Sequence, residues 1–101
     1  MRHTGRLWRW LGNSGSGTWH FLTIDGSAGE ALSATALMRR LEGRARGFGA
    51  LKVKARIGES EFATSVFPDK ASDGWLLPVK ASVRQAEDLV DGGQVTVIVT
   101  C

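Results

Sequence analysis

Residues 75 to 99, WLLPVKASVRQAEDLVDGGQVTVIV, carry the signals that decide the fold. WLLP reads as a short strand, and Pro78 suits the opening of a helix, where its missing amide proton is not required. Val83, Ala86, Leu89 and Val90 recur at helical spacing as the apolar stripe of that helix. Asp91, Gly92 and Gly93 then stop it, and QVTVIV, dense in β-branched residues, closes the unit as a strand.

Upstream, PDKASDG at 68–74 is a loop by composition. From Ala50 to Ile57 the pattern alternates, with Leu51, Val53, Ala55 and Ile57 on one face and Lys52, Lys54 and Arg56 on the other, as a half-buried strand requires. Gly58 and Glu59 then form a tight turn into EFATSVF. This gives an antiparallel hairpin in which Lys54 and Arg56 face Glu61 and Glu59. Ser27 and Glu30 make an S-x-x-E capping box, and Ala31, Ala34, Leu37, Met38 and Leu41 follow at helical spacing, so the first helix is predicted over 28–42. Gly43 ends it in a left-handed conformation, with Arg39 and Arg40 in the last turn, where the helix dipole favours cations. RLWRWL at 6–11 and TWHFLTI at 18–24 are strands joined through GNSGSG at 12–17.

The element order is β-β-α-β, then β-β-α-β again: a mainly β domain with two helices and six strands, predicted to span 1–101 as a single unit. Trp19 and Trp75 each open the strand that precedes a helix, and the repeat of element order points to duplication. A chain of 101 residues hides roughly 65% of its unfolded surface on folding, enough for one core without staples. The lone Cys101 has no partner, and with no basic-then-apolar leader the chain is expected in the reducing cytoplasm. Its longest apolar runs fall far short of the ~20 residues that span a bilayer, so no membrane partner is expected.

The net charge is +3, distributed as 10 Lys/Arg against 3 Asp/Glu over residues 1–56 and 3 against 7 over residues 57–101. This asymmetry steers an anionic partner to one side or draws the two halves together, and the second reading is preferred.

Trp19-His20-Phe21, Gly47-Phe48-Gly49, Val53 to Gly58, Thr64 to Lys70 (TSVFPDK) and Leu77 to Arg84 (LPVKASVR) resemble the bacterial domain of unknown function 1905, found alone or fused to a bacteriocin-protection (YdeI/OmpD-associated) segment. Residues 76–99 also look like the AbrB-type half-barrel, with Pro78, Arg84, Leu89, Gly92 and Val95 at matching positions. They depart from it at Gly92-Gly93-Gln94, where that pattern has Gly-Asp. The resemblance implies a small double-split β-barrel related to AbrB, MazE and MraZ, with both β-β-α-β halves in one polypeptide. It implies no activity.

Three groups of residues carry the candidate chemistry. Lys70, Lys80 and Arg84, beside SVFPDK and LPVK at a barrel mouth, would hold an acidic ligand. The plainer reading of SVFPDK is a turn in which Asp69 bonds nearby backbone and Phe67 is buried. The basic belt Arg39, Arg40, Arg44, Arg46, Lys52, Lys54 and Arg56, interrupted by Glu42, would meet phosphates with little sequence readout. Trp8 and Trp10, on one face of the first strand, would stack on a flat ligand, but packing in the core or at a barrel end is the preferred role.

His3 and His20 stand at no metal-ligand spacing, His20 with Asp25 and Ser27 is too generic for a triad, and Gly17 is followed by Thr18 and Trp19 rather than by the lysine of a phosphate loop. No cofactor, metal or catalytic residue is therefore expected. The sequence predicts a non-enzymatic binding module for a partner protein or small anionic ligand, a monomer rather than a homodimer, with nucleic-acid binding through the belt as the alternative.

Overall fold

The computed structural model describes residues 1–11, 18–43 and 49–101. Its elements are β1 (Arg2–Leu11), β2 (Thr18–Ile24), α1 (Gly26–Leu41), β3 (Leu51–Ile57), β4 (Ser60–Asp69), β5 (Gly74–Pro78), α2 (Ala81–Ala86) and β6 (Gln94–Thr100). The strands close into an antiparallel barrel in the order β1-β2-β5-β4-β3-β6. Exchanging the halves, β1 with β4, β2 with β5 and β3 with β6, returns the same neighbours, so the repeat in element order is also a repeat in pairing. Closure gives each of the six strands a partner on both sides over at least part of its length.

Alternation fills the barrel from every side. Leu51, Val53, Ala55 and Ile57 of β3 are buried while Lys52, Lys54 and Arg56 are exposed, as the sequence predicts, and Val95, Val97 and Val99 of β6 repeat the pattern. Leu7, Leu22, Ile24, Val66 and Leu77 complete a cluster drawn from both halves, and Ala28 and Leu32 of α1 and Val83 of α2 join it. The β3–β4 turn is set by Gly58, whose φ is 59°. A Cβ there would also meet the Glu87 carboxylate that accepts a bond from Ser60 Oγ at 2.7 Å.

Several local expectations are corrected. Helix α1 starts at Gly26, with Asp25 as its N-cap and no side-chain cap, so the Ser27–Glu30 box does not form. The chain leaves β2 without a spacer, through extended Asp25 and left-handed Gly26, before Ser27 is reached. Its buried face is Ala28, Gly29 and Leu32 rather than the stripe through Leu37, Met38 and Leu41, which are all exposed. The helix is apolar on more than one side, and the side bearing a glycine wins because it permits the closest approach: a Cβ at Gly29 would lie 2.9 Å from Ile24 O. Gly43, with φ 72°, does end the helix region as predicted.

Pro78 belongs to β5, opposite Phe21, and does not open α2; Val79 and Lys80 intervene. Helix α2 has six residues and buries only Val83, with Leu89 half-buried beyond it and Ala86 and Val90 exposed. Strand β4 continues through Pro68 to Asp69. Phe67 follows buried Val66 and therefore points outward, 43% exposed, against the buried position expected for it. Asp69 does accept bonds from Ala71 N and Ser72 Oγ, the turn role read from the sequence. Across the β3–β4 hairpin Arg56 stands opposite Glu61, but Lys54 stands opposite Ala63, and Glu59 lies in the turn. The hairpin connection at 12–17 lies outside the described residues.

Candidate functional site

Strand β5 lies between β2 and β4 but stops at Pro78, while both neighbours run on. The amide of Val79 continues the ladder for one more bond, to His20 O at 2.9 Å, and the chain then turns away into α2. The gap it vacates is a pocket of about 370 Å³. Trp19 and His20 of β2 form one wall and Phe62, Ala63 and Thr64 of β4 the other, with Pro78 and Val79 at the end of β5 and Lys80, Ala81 and Arg84 from the start of α2. No carboxylate is among these lining residues.

Charge at the mouth comes from two side chains. Lys80 Nζ lies 5.9 Å from the centroid of the Phe62 ring, within cation–π range, so the ammonium is held against the apolar wall. Arg84 donates through Nη1 to Val79 O at 2.7 Å, which commits one of the five N–H donors of its guanidinium. Half-buried, Arg84 therefore ties α2 back to the end of β5 and places a permanent cation at the pocket.

His20 connects this wall to a third element. Its Nε2 lies 2.5 Å from Asp91 Oδ1, and Arg9, paired with His20 across the β1–β2 ladder, lies 3.5 Å from Asp91 Oδ2. Asp91 thus fastens the α2–β6 connection to the hairpin. The Nδ1 atom of His20 is buried and, among the described residues, is the side-chain nitrogen or oxygen that is buried with no hydrogen-bond partner.

Beside the pocket runs a row of aromatic side chains on the outer face of β1 and β2. Trp8 stands opposite Phe21 and Trp10 opposite Trp19; Trp8 and Phe21 rings lie 5.3 Å apart, and Trp19 stacks on Phe21 at 6.4 Å and 12°. Trp8 is half-buried and donates to Thr23 Oγ1 at 2.9 Å, while Trp10 and Trp19 are exposed. Of the packing expected for Trp8 and Trp10, in the core or at a barrel end, the core placement is corrected: their neighbour Leu7 takes the inward position, and alternation turns both rings outward.

The structure brings Lys80 and Arg84 together and separates Lys70 from them. Lys70 sits in the turn before β5 and Lys80 after its end, so the length of the strand lies between them. The sequence missed Trp19, His20 and Phe62 as pocket walls. Their only signal was outward parity at Trp19, and where β5 stops is decided by tertiary pairing. Of the belt, Arg40, Lys52, Lys54 and Arg56 are exposed, and Arg39 Nη1 reaches Lys52 O at 3.5 Å, joining the end of α1 to β3. Arg44 and Arg46 lie outside the described residues. Arg56 donates to Gly58 O at 3.0 Å.

No helix among the described residues is long and apolar enough to cross a membrane. A family model described as "Domain of unknown function (DUF1905)" matches residues 3–99. No curated protein and no solved structure matches.

Proposed function

We propose that this chain, which belongs to the Domain of unknown function (DUF1905) family, is a non-enzymatic binding module that takes a small anionic ligand in the pocket where β5 gives way to α2. The observation that carries the reading is a pocket of about 370 Å³ with apolar walls, two cations at its rim and no carboxylate lining it. An anion leaving water for such a site loses hydration, and charged donors offset that loss better than neutral ones. The volume lies at the small end of the range for small-molecule sites, about 300–1,000 Å³, which favours a compact ligand. A cytoplasmic setting fits the unpaired, exposed Cys101.

The test is amide chemical-shift mapping of the labelled protein with inorganic phosphate, acetate and benzoate. Shifts confined to residues 62–64 and 78–84 that weaken in Lys80→Ala are expected. Absence of any saturable shift with all three anions rejects the reading.

A second reading rests on Arg39 reaching Lys52 O, which makes one basic surface of the end of α1 and the outer face of β3. Duplex DNA or RNA bound there would show a steep salt dependence, reduced by Lys52→Ala and Lys54→Ala. A mobility shift absent even at low salt removes this alternative.

A further inference from the structure

The proposed anion site has more apolar wall than an inorganic ion can use. Two of its walls are rings, Trp19 and Phe62, and a third is the pyrrolidine of Pro78. Trp19 is 54% exposed although it is stacked on Phe21, so a large planar surface stands open to solvent at the pocket. Lys80 holds its ammonium 5.9 Å from the Phe62 ring centroid, so cation and aromatic wall belong to the same part of the site. A bare phosphate or acetate would meet the cations and leave the exposed Trp19 ring wet. A ligand that carries its charge on the edge of a flat ring uses both.

We infer that the ligand is a small aromatic carboxylic acid in its anionic form, its ring packed between Trp19 and Phe62 and its carboxylate at Lys80 and Arg84. This rests on the anion-binding reading above and specifies the chemistry of its ligand. Aromatic pairs prefer offset-stacked or edge-to-face contact, and both geometries are available to a single ring entering between two others. Arg84 offers a guanidinium, whose planar fork suits a carboxylate. The absence of acidic lining residues leaves no competitor for either cation within the pocket.

The experiment compares four probes on the same labelled protein: benzoate (ring and charge), acetate (charge with a methyl group), inorganic phosphate (charge alone) and benzyl alcohol (ring without charge). Benzoate is expected to bind at least about tenfold more tightly than each of the others, because the ring adds buried apolar area that acetate lacks and the charge adds an ion pair that the alcohol lacks. Trp19→Thr, a change at an exposed strand position, is expected to weaken benzoate by about fivefold or more and leave acetate unchanged. The dispersion of the variant's spectrum shows that it is folded.

Equal affinities for phosphate, acetate and benzoate overturn this inference and leave the anion reading standing. Silence from all the anions overturns both. A short oligothymidylate that binds these residues more tightly than benzoate overturns the small-acid assignment in favour of single-stranded nucleic acid.

Discussion

The two places where a strand passes into a helix are equivalent in the repeated topology and opposite in packing. At the first, β2 reaches α1 through the single residue Asp25, and the backbones close to the limit: a Cβ on Gly74 would sit 2.6 Å from Ile24 O, and one on Gly29 2.9 Å from it. Trp75 fills what space remains and donates through Nε1 to Ser33 Oγ at 3.0 Å. At the second, β5 reaches α2 through Val79 and Lys80, no glycine lies at the join, and a pocket remains. One copy of the unit is thus packed shut, with α1 covering it, while the other keeps a short helix and an opening. The opening leaves the shared core intact, since the buried cluster is drawn from both halves.

The change that most directly attacks this contrast is Gly74→Ala. The atoms its methyl group would meet are the backbone O and C of Ile24 and the Cβ of Asp25, none of which a side-chain rotation moves away, so a loss of about 3 kcal/mol is expected in urea titrations. A loss under 1 kcal/mol, on the same assay, would mean the first junction is not tightly closed.

At the open junction the largest single effect is expected from Asp91→Ala. It leaves His20, only 12% exposed, and Arg9 without their shared carboxylate and removes the side-chain tie of the α2–β6 connection, whose Gly92 and Gly93 keep their backbone bonds to Leu7. We expect a cost of about 1–2 kcal/mol, together with broadened amide signals in residues 87–93. Unchanged stability would show that Asp91 does not fasten the loop.

Ser33→Ala is smaller again, about 1 kcal/mol, since it removes one acceptor and strands the indole N–H of Trp75, which is buried. A red-edge change in tryptophan fluorescence is its independent readout. An unaltered emission spectrum would place the Trp75 indole away from Ser33.

How much of this contrast the sequence carried follows from which physical signals are local. The alternation of residues 51–57 and 94–100 is a period of two that one strand displays by itself, so those faces were legible. The repeat of element order was legible because each strand and helix announces itself locally. The face of α1 was not. An Ala- and Leu-rich helix offers several apolar stripes, and the choice among them is made by where α1 lies on β5, with Trp75 donating to Ser33 from 42 residues away. The pocket was half legible: Lys80 and Arg84 are neighbours on a helix start, whereas Trp19 and Phe62 join them only because β5 ends at Pro78 between β2 and β4. Lys70 was drawn in by its closeness in sequence to a strand whose far end holds the site.

The smallest expected effect separates the site from the fold. Lys80 is exposed, and the contact its ammonium makes is with the Phe62 ring at 5.9 Å. Exposed cation–π contacts are worth about 0.5–1 kcal/mol, and losing the side chain also releases the rotamer freedom the contact restrains, so Lys80→Ala should change stability by no more than about 0.5 kcal/mol. The helix start does not depend on the ammonium, because Lys80 caps α2 through its backbone, its carbonyl accepting from Val83 N and Arg84 N at 3.1 Å, and its side chain makes no cap bond. Alanine therefore keeps the backbone and removes half the charge at the pocket rim. If urea titration finds the variant as stable as the parent while its anion shifts are lost, the open junction is a site held by the rest of the barrel. A loss of stability comparable to that of Gly74→Ala would instead make Lys80 part of the packing, and the two junctions would differ in degree only.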